Sequence, residues 1–444
     1  MTRPLAQHQG TELFTLQETV NGQTGSRRKV LLLADDRHPA NVVQDHISAI
    51  RAYSVNDVTV CNPMRSLWAL AFDFGMFDVI IIHYSICILF EYFLPPAMEA
   101  KVKEFRGLKV QIIQDEYRWI DRMAGKMAEL GISVVISSLE GPNLRRVYRQ
   151  PEVDRIKFYS ALPGYVPTDL ANMCVPPIAE RPLHMVYRGR EVPYWLGAFS
   201  QDKARIAEQV RTMAHRHGLR ADVGCSEESR IYGRQWIRFL LSGKAVAATE
   251  GGATIFDFDG EVERAVREFL NAHPGAKFNA VAHAVLRSYE GNIVHKTITP
   301  RCFEAIALRC ALILYPGSYR GVLEPWRHYV PLMPDGSNEG EVVRRLRDDA
   351  YLQALVDRTY AEIVESGVYT LERYVRSIDG VIARSLDGLE HAEANRSTIA
   401  TLMGTALKPI LRLERPIYPY RVVRRRLSSF VRSHSTNLLR WHRV

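Results

Sequence analysis

Lys29-Val30-Leu31-Leu32-Leu33-Ala34-Asp35-Asp36-Arg37-His38 joins a continuous apolar run to an abrupt polar cluster. A strand with one wet face alternates apolar and polar residues, whereas an unbroken run marks a parallel strand covered on both faces. The same grammar recurs outward along the chain. Phe77–His83 is apolar but for Asp78 and runs into Tyr84 and Ser85. Leu108–Gln114 runs into Asp115-Glu116-Tyr117-Arg118, and Ser133–Ser137 is a fourth strand. Helical stretches lie between them, such as Glu116–Leu130, stopped by Gly131. Strands alternating with helices predict a doubly wound parallel sheet.

The pattern loosens over residues 162–182, where Pro163, Gly164, Pro167, Pro176, Pro177 and Pro182 mark a linker. A second α/β series follows. It has a strand at Leu183–Tyr187 and a helix at Asp202–His217, with Ile206, Val210 and Met213 on one face and Gly218 at its end. A buried strand at Ala245–Thr249 and a helix from Pro300 into a strand at Ala311–Tyr315 complete it, and a long amphipathic segment, Glu341–Ser366, closes it. The expected organisation is a lead over 1–28, one Rossmann-like domain over 29–170, another over 183–365, closing helices over 366–410 and a basic tail over 411–444. The fold class is α/β, with two Rossmann-like domains facing across a cleft.

Of 444 residues, 47% are hydrophobic and 24% charged, enough for two ordinary cores. The net charge of +9 is local: residues 411–444 hold nine arginines and one glutamate, leaving the body near neutral. That argues against a nucleic-acid partner for the body and for a separate task for the tail. Val423, Leu427, Phe430 and Val431 fall at helical spacing among Arg421, Arg424, Arg425, Arg426 and Arg432, a pattern suited to an anionic membrane surface. With no apolar run of about 20 residues and no signal-like N-terminus, a cytoplasmic protein, peripheral on the membrane through its tail, is expected. Cysteines 61, 87, 174, 225, 302 and 310 form no CxxC pair, so reduced thiols and no structural zinc are expected.

In open α/β sheets ligands bind beyond the carboxyl ends of strands. In the first half those ends carry Asp35, Asp36, Glu116 and Arg118, candidates for the acceptor side of a cleft, with Asp115 and His83 as candidate bases. In the second half Arg188, Gly189 and Arg190 follow a strand. Lys203 opens a helix, where the macrodipole disfavours a cation unless a phosphate is also held there. Thr299-Pro300 is a helix start, a hydroxyl N-cap before proline. Arg301 adds a cation, and Glu304, about 100° from Phe303 on the helix, could accept two ribose hydroxyls. Gly317, Ser318 and Tyr319 form a loop with little bulk, able to approach a ligand closely. Asp257-Phe258-Asp259 spells a metal-binding triplet that the two-domain layout argues against. No GxGxxG or GxxxxGK[ST] stretch supports a dehydrogenase or a P-loop enzyme.

Over roughly residues 29–380 the chain resembles bacterial GT-B glycosyltransferases of the group-1-like set that includes CgeB-type spore-coat proteins. Thr299-Pro300-Arg301-Cys302-Phe303-Glu304-Ala305-Ile306-Ala307 looks like the family's SPRxFEA helix, a variant of the EAxA helix of retaining enzymes. Gly317–Gly321, His328–Leu332, Asp335–Asn338 and Thr249–Ala253 are similar as well. The resemblance implies that Glu304 holds the donor ribose and that Arg190 and Lys203 grip the diphosphate. One position departs: a glutamate that retaining enzymes carry eight residues before Glu304 is Lys296 here, with His295 or Glu250 as possible substitutes. The implied activity is a retaining transfer of a sugar from a nucleoside-diphosphate sugar to a glycan, lipid-linked or protein acceptor. Cell-envelope polysaccharide synthesis would suit it, and no metal or other cofactor is expected. A non-catalytic sugar- or nucleotide-binding subunit and a sugar-nucleotide epimerase are the competing readings.

Overall fold

The computed structural model describes residues 13–15, 27–65 and 73–387. Most of the 1–28 lead and all of the 411–444 tail lie outside them.

The first sheet is built from β1 (Leu13–Thr15), β2 (Lys29–Leu33), β3 (Asp57–Cys61), β4 (Val79–Ile82), β5 (Leu108–Ile113), β6 (Val134–Ser137) and β7 (Lys157–Ser160). Their order is β1-β7-β6-β5-β4-β2-β3, and every pairing is parallel. Leu31 faces Thr59 on one side and Ile80 on the other. The four strands read from the sequence occupy the buried middle of this sheet. Lys109 and Gln111 are buried in β5 because each finds acceptors. The Lys109 ammonium donates to the carbonyl oxygens of Leu130 (2.8 Å) and Lys103 (3.2 Å), and the Gln111 amide to that of Ile112 (3.0 Å).

The second sheet holds β8 (Leu183–Arg188), β9 (Ala221–Gly224), β10 (Gly243–Ala248), β13 (Ala311–Leu314) and β14 (Val330–Pro331), in the parallel order β14-β13-β10-β8-β9. Between β10 and β13 the chain forms an antiparallel pair, β11 (Gly251–Ala253) with β12 (His295–Thr297). From β2 and from β8 onward, each sheet winds first one way and then the other. The first strand lies between the second and the third, which opens a crevice between β2 and β4 and another between β8 and β10.

Apolar layers cover both faces of each sheet. One of those on the first sheet recruits Trp195, Ile255, Phe256, Val262 and Ile293 from the second half of the sequence. Another recruits Tyr374, Val375, Ile378 and Ile382 from the helix Leu371–Asp387, which returns to the first sheet. That helix is tied down by Asp379, which accepts from Ser54 Oγ (2.7 Å), Val55 N and Asn56 Nδ2 (both 2.9 Å).

One helix differs from expectation, and the closing segment takes the two-helix form of the one-or-two expected. The helix expected from Glu116 starts at Ile120, because Asp115 and Trp119 take left-handed φ values of 59° and 53°. The segment Glu341–Ser366 is two helices, Glu339–Arg347 and Asp349–Tyr360, followed by a π turn. Asp348 breaks it by leaving helical geometry and accepting the Tyr351 N–H as an N-cap.

Candidate active site

The crevice of the second sheet collects three cations. Arg190 lies just past β8. Lys203 sits in the first turn of the helix Asp202–Arg216, whose start is pinned to β8 by the Tyr187 hydroxyl donating to the Lys203 carbonyl at 2.7 Å. Arg301 sits in the first turn of the helix Pro300–Ala307. Its guanidinium lies 5.4 Å from the Tyr187 ring centre and 5.6 Å from that of Trp236. Its Nε is buried without a hydrogen-bond partner among the described residues.

Like charges gathered without full compensation disfavour the charged form of each. Burial, then Arg190 and Arg301, depress the Lys203 ammonium to about 8, with Asp115 pulling the other way. Burial lowers Arg190 too, again opposed by Asp115. Asp115 comes from the carboxyl end of β5 in the other sheet and is hydrogen-bonded to Tyr117. The two halves therefore present opposite charges to one space. Only glycine fits at position 189, since a Cβ there would lie 2.6 Å from the Tyr187 hydroxyl and 3.0 Å from Cys225 Sγ.

Glu304 stands one turn along from Arg301. It is buried, 6% exposed, rather than solvated. Trp236 Nε1 donates to its carboxylate at 3.1 Å. Burial raises its pKa to about 7 against the pull of Trp236 and Arg301, with Asp45 adding to the rise. Glu304 and Asp45 line a small recess that Pro163, Tyr165 and Pro300 also help form.

Several expectations are corrected by the geometry. Arg188 does not face a donor: it makes two hydrogen bonds to Asp222 (2.7 and 2.8 Å) and its Nε donates to the Ser229 carbonyl, which commits it to β9. His83 is fully buried, with Nε2 2.9 Å from His46 Nδ1 and Nδ1 accepting the Ser85 N–H at 3.0 Å. Burial and the neighbouring His46 and His38 hold it far below the usual imidazole range, so it braces the sheet and reaches no acceptor hydroxyl. Glu116 points into the core, where it accepts from Ser137 Oγ (2.6 Å) and the Tyr148 hydroxyl. Arg118 pairs with Glu263 at 3.0 Å and lies 3.7 Å over the Trp119 ring.

Glu250 organises a loop instead of meeting a substrate. Its carboxylate accepts from the Tyr319 N–H (2.7 Å) and the Ser318 hydroxyl (3.0 Å). Gly317 runs so close to it that a Cβ would collide. Tyr319 is wholly buried, its hydroxyl donating to the Tyr315 carbonyl. Thr299 sits at the N-cap but makes no capping hydrogen bond; its hydroxyl lies 3.6 Å from Cys302 Sγ. Asp35 and Asp36 do lie at the crevice of the first sheet, clipped together by Asn62 Nδ2 at 3.1 and 3.0 Å. The triplet at 257–259 is a helix start: the Asp257 carboxylate accepts the N–H groups of Gly260 and Glu263.

Residues that sequence reasoning passed over complete the picture. Tyr117 and Trp236 line the cation cluster. Arg320, with a left-handed φ of 56°, crosses to the first sheet, donating to the Ser138 carbonyl (3.0 Å) and Ser160 Oγ (3.1 Å) and pairing with Glu140 (3.0 Å). None of the three sits in a periodic pattern that would single it out.

No family model and no curated protein matches this sequence. Solved structures do. An alpha-glucosyltransferase in complex with UDP-glucose and DNA containing an abasic site is similar over 81% of this chain and 100% of its own, with a TM-score of 0.51 and 9% identity. The fold is GT-B. T4 phage BGT in complex with its UDP-glucose substrate is similar over 81% of this chain and 100% of its own, with a TM-score of 0.47 and 11% identity. T4 phage BGT with UDP and Mn²⁺ covers the same shares, at a TM-score of 0.47 and 12% identity. At these identities the likeness is one of the GT-B fold. Two expectations are nonetheless corrected. T4 phage BGT is seen with Mn²⁺ as well as UDP, and the expectation that no metal takes part is withdrawn. The alpha-glucosyltransferase complex contains DNA, against the expectation of no nucleic-acid partner, and that expectation is withdrawn as well. Among the described residues no three His, Cys, Asp or Glu side chains are grouped to hold a metal ion, and no helix is long and apolar enough to cross a membrane.

Proposed function

We propose that this GT-B protein transfers a sugar from a nucleoside-diphosphate sugar, with a UDP-sugar as the first donor to try, to an acceptor hydroxyl. The observation that carries the reading is the gathering of Arg190, Lys203 and Arg301 at the β8/β10 crevice, opposite Asp115. Three cations without matching anions are costly until an anion arrives, and a diphosphate brings two or three negative charges. The same groups stabilise charge growing on the leaving diphosphate as the bond from sugar C1 to phosphate oxygen breaks. Glu304 would receive the ribose hydroxyls in its ionised form, and Gly317 and Ser318, held by Glu250, would approach the phosphates.

Retention of configuration is the stereochemical course we favour. With His83 buried, Asp115 is the one sequence-nominated base that faces the cluster, and its carboxylate is engaged with Arg190 and Lys203. The acceptor proton then passes to the departing phosphate oxygen as the acceptor oxygen bonds to C1. Asp115 stabilises positive charge on the sugar. Glycan, lipid-linked and protein acceptors all suit this chemistry. The DNA of the similar alpha-glucosyltransferase complex makes nucleic acid a fourth class to assay.

Calorimetric titration with UDP tests the donor site. Lys203→Ala and Arg190→Ala should each weaken binding about tenfold to a hundredfold, since a charge-assisted hydrogen bond contributes roughly 1.5–3 kcal/mol. Normal UDP affinity in both variants would show that the diphosphate, if bound, lies elsewhere. Proton NMR of the product's anomeric configuration tests retention.

A further inference from the structure

The antiparallel pair β11–β12 carries polar atoms without a hydrogen-bond partner among the described residues. His295 is 1% exposed, yet neither ring nitrogen has a hydrogen-bond partner among the described residues. The Thr297 hydroxyl, two residues on, is buried and unpartnered too. Residues two apart on a strand share a face, so the three orphaned atoms form one polar strip. Lys296, between them, takes the other face, its ammonium 4.6 Å from the Phe199 ring centre.

The pair is fixed in place. His295 pairs with Ala253 and Thr297 with Gly251, directly after Glu250 anchors the 317–319 loop. Gly252, at a φ of 125°, lies against the His295 carbonyl, where any Cβ would overlap it. The His295 ring is 6.3 Å from that of Tyr117, which shares a hydrogen bond with Asp115. Asp115 in turn is coupled to Arg190 and Lys203. Tyr117 therefore neighbours both the cation cluster, through Arg190 and Asp115, and the strip, through His295.

We infer that His295 and Thr297 form a sugar-selecting strip whose unpartnered atoms hydrogen-bond hydroxyls of the donor's sugar ring. A neutral imidazole offers one N–H donor and one acceptor, and a hydroxyl is both. Burial keeps His295 neutral, lowering its pKa to about 4. The inference rests on the donor-site reading above and adds to it the residues that choose the sugar. They flank Lys296, the position at which the chain departs from the glutamate of retaining enzymes.

The test is calorimetry and kinetics with UDP, UDP-glucose and UDP-galactose on the full chain, comparing the unmodified protein, His295→Ala and Thr297→Val. UDP affinity should stay within about twofold in both variants, because UDP lacks the sugar. The extra affinity of the preferred UDP-sugar over UDP should fall about tenfold in His295→Ala, the loss of one or two net hydrogen bonds. The preference between the two epimeric sugars in kcat/KM should shrink with it. Should His295→Ala not fold, Thr297→Val, which keeps the side-chain shape, carries the same comparison. An unchanged increment and preference, or an equal fall for UDP and UDP-sugar alike, overturns the inference while leaving the donor site standing. Failure of the unmodified protein to bind UDP or either UDP-sugar overturns both.

Discussion

Lys203 is the residue whose chemistry reports the site most directly. Free, its ammonium titrates near 8; beside a diphosphate it would titrate higher. A ligand that raises a pKa binds most tightly below the free value and loses affinity as pH rises through it. UDP affinity should therefore decline as pH rises above about 8, and Lys203→Met should remove most of that decline; below about 7 the ionisation of Glu304 and of the UDP terminal phosphate gives the opposite slope. Titrations across this range in buffers of differing ionisation enthalpy would also show the proton uptake. Glu116 gives the opposite kind of experiment. Burial raises its carboxyl to about 8, so folding disfavours its ionised form. The stability it contributes is whole below the ordinary glutamate pKa of about 4.5 and drains away as pH rises toward 8. Glu116→Gln should flatten that slope, seen as a thermal midpoint that changes less between pH 5 and 8. At this scale the sequence was informative where neighbours along the chain decided the outcome. Lys203 is legible because a cation in a first helical turn is anomalous. Arg188 and Arg190 look alike in sequence, and only Asp222, on a neighbouring strand, separates the structural arginine from the site arginine. His83 passed for a base because its partner, His46, is 37 residues away.

The loop at 317–321 shows how an element is set by a residue outside it. Its backbone turns through left-handed φ values at Tyr319, Arg320 and Gly321 (43°, 56° and 72°), and the Glu250 carboxylate holds the turn by accepting from the Ser318 hydroxyl and the Tyr319 N–H. Removing that carboxylate leaves a buried N–H without an acceptor. Glu250→Ala should destabilise the protein by about 2–4 kcal/mol, the loss of hydrogen bonds to a charged group plus the cost of orphaning a donor. Denaturant titration measures it, and a loss under 1 kcal/mol would contradict the role. UDP affinity should fall as well, through the loosened loop. Buried central strands were legible because residues such as Val79–Ile82 are apolar on both faces. β3 and β9 were not, since half-exposed edge strands such as Ala221–Gly224 carry no apolar run. The late start at Ile120 escaped because Trp119 in a left-handed conformation is a tertiary outcome, with the neighbouring Asp121 and Ile120 N–H groups bonded to the carbonyls of Phe258 and Asp257.

At the scale of the whole molecule, specific polar ties latch the halves beside their shared apolar layer. Arg320 reaches the carboxyl ends of β6 and β7. Asn41 and Gly233 exchange two hydrogen bonds (2.9 and 3.3 Å), and Asn143 Nδ2 donates to the Val294 carbonyl at 2.8 Å. These ties cross from one half to the other, so loosening them should let the halves part. Arg320→Ala with Asn41→Ala should increase the radius of gyration in small-angle scattering without ligand, and UDP should restore part of the compaction. An identical profile with and without the substitutions would show that other contacts hold the halves. The two-sheet layout was legible from strand–helix alternation. The ties were not, since each joins residues more than 100 apart through single polar atoms. The 411–444 tail belongs to this scale as well. Deleting it should reduce co-sedimentation with phosphatidylserine vesicles, and equal sedimentation would remove the membrane from its account.

Because Leu371–Asp387 lays Tyr374, Val375 and Ile378 on the first sheet, the polypeptide's two halves in sequence are not its two halves in space. A gene cut between codons 182 and 183 would yield an amino-terminal fragment stripped of its cover and a carboxyl-terminal one trailing an oily, orphaned helix. Each alone should aggregate; synthesised together, they should recover each other as a nicked but working heterodimer.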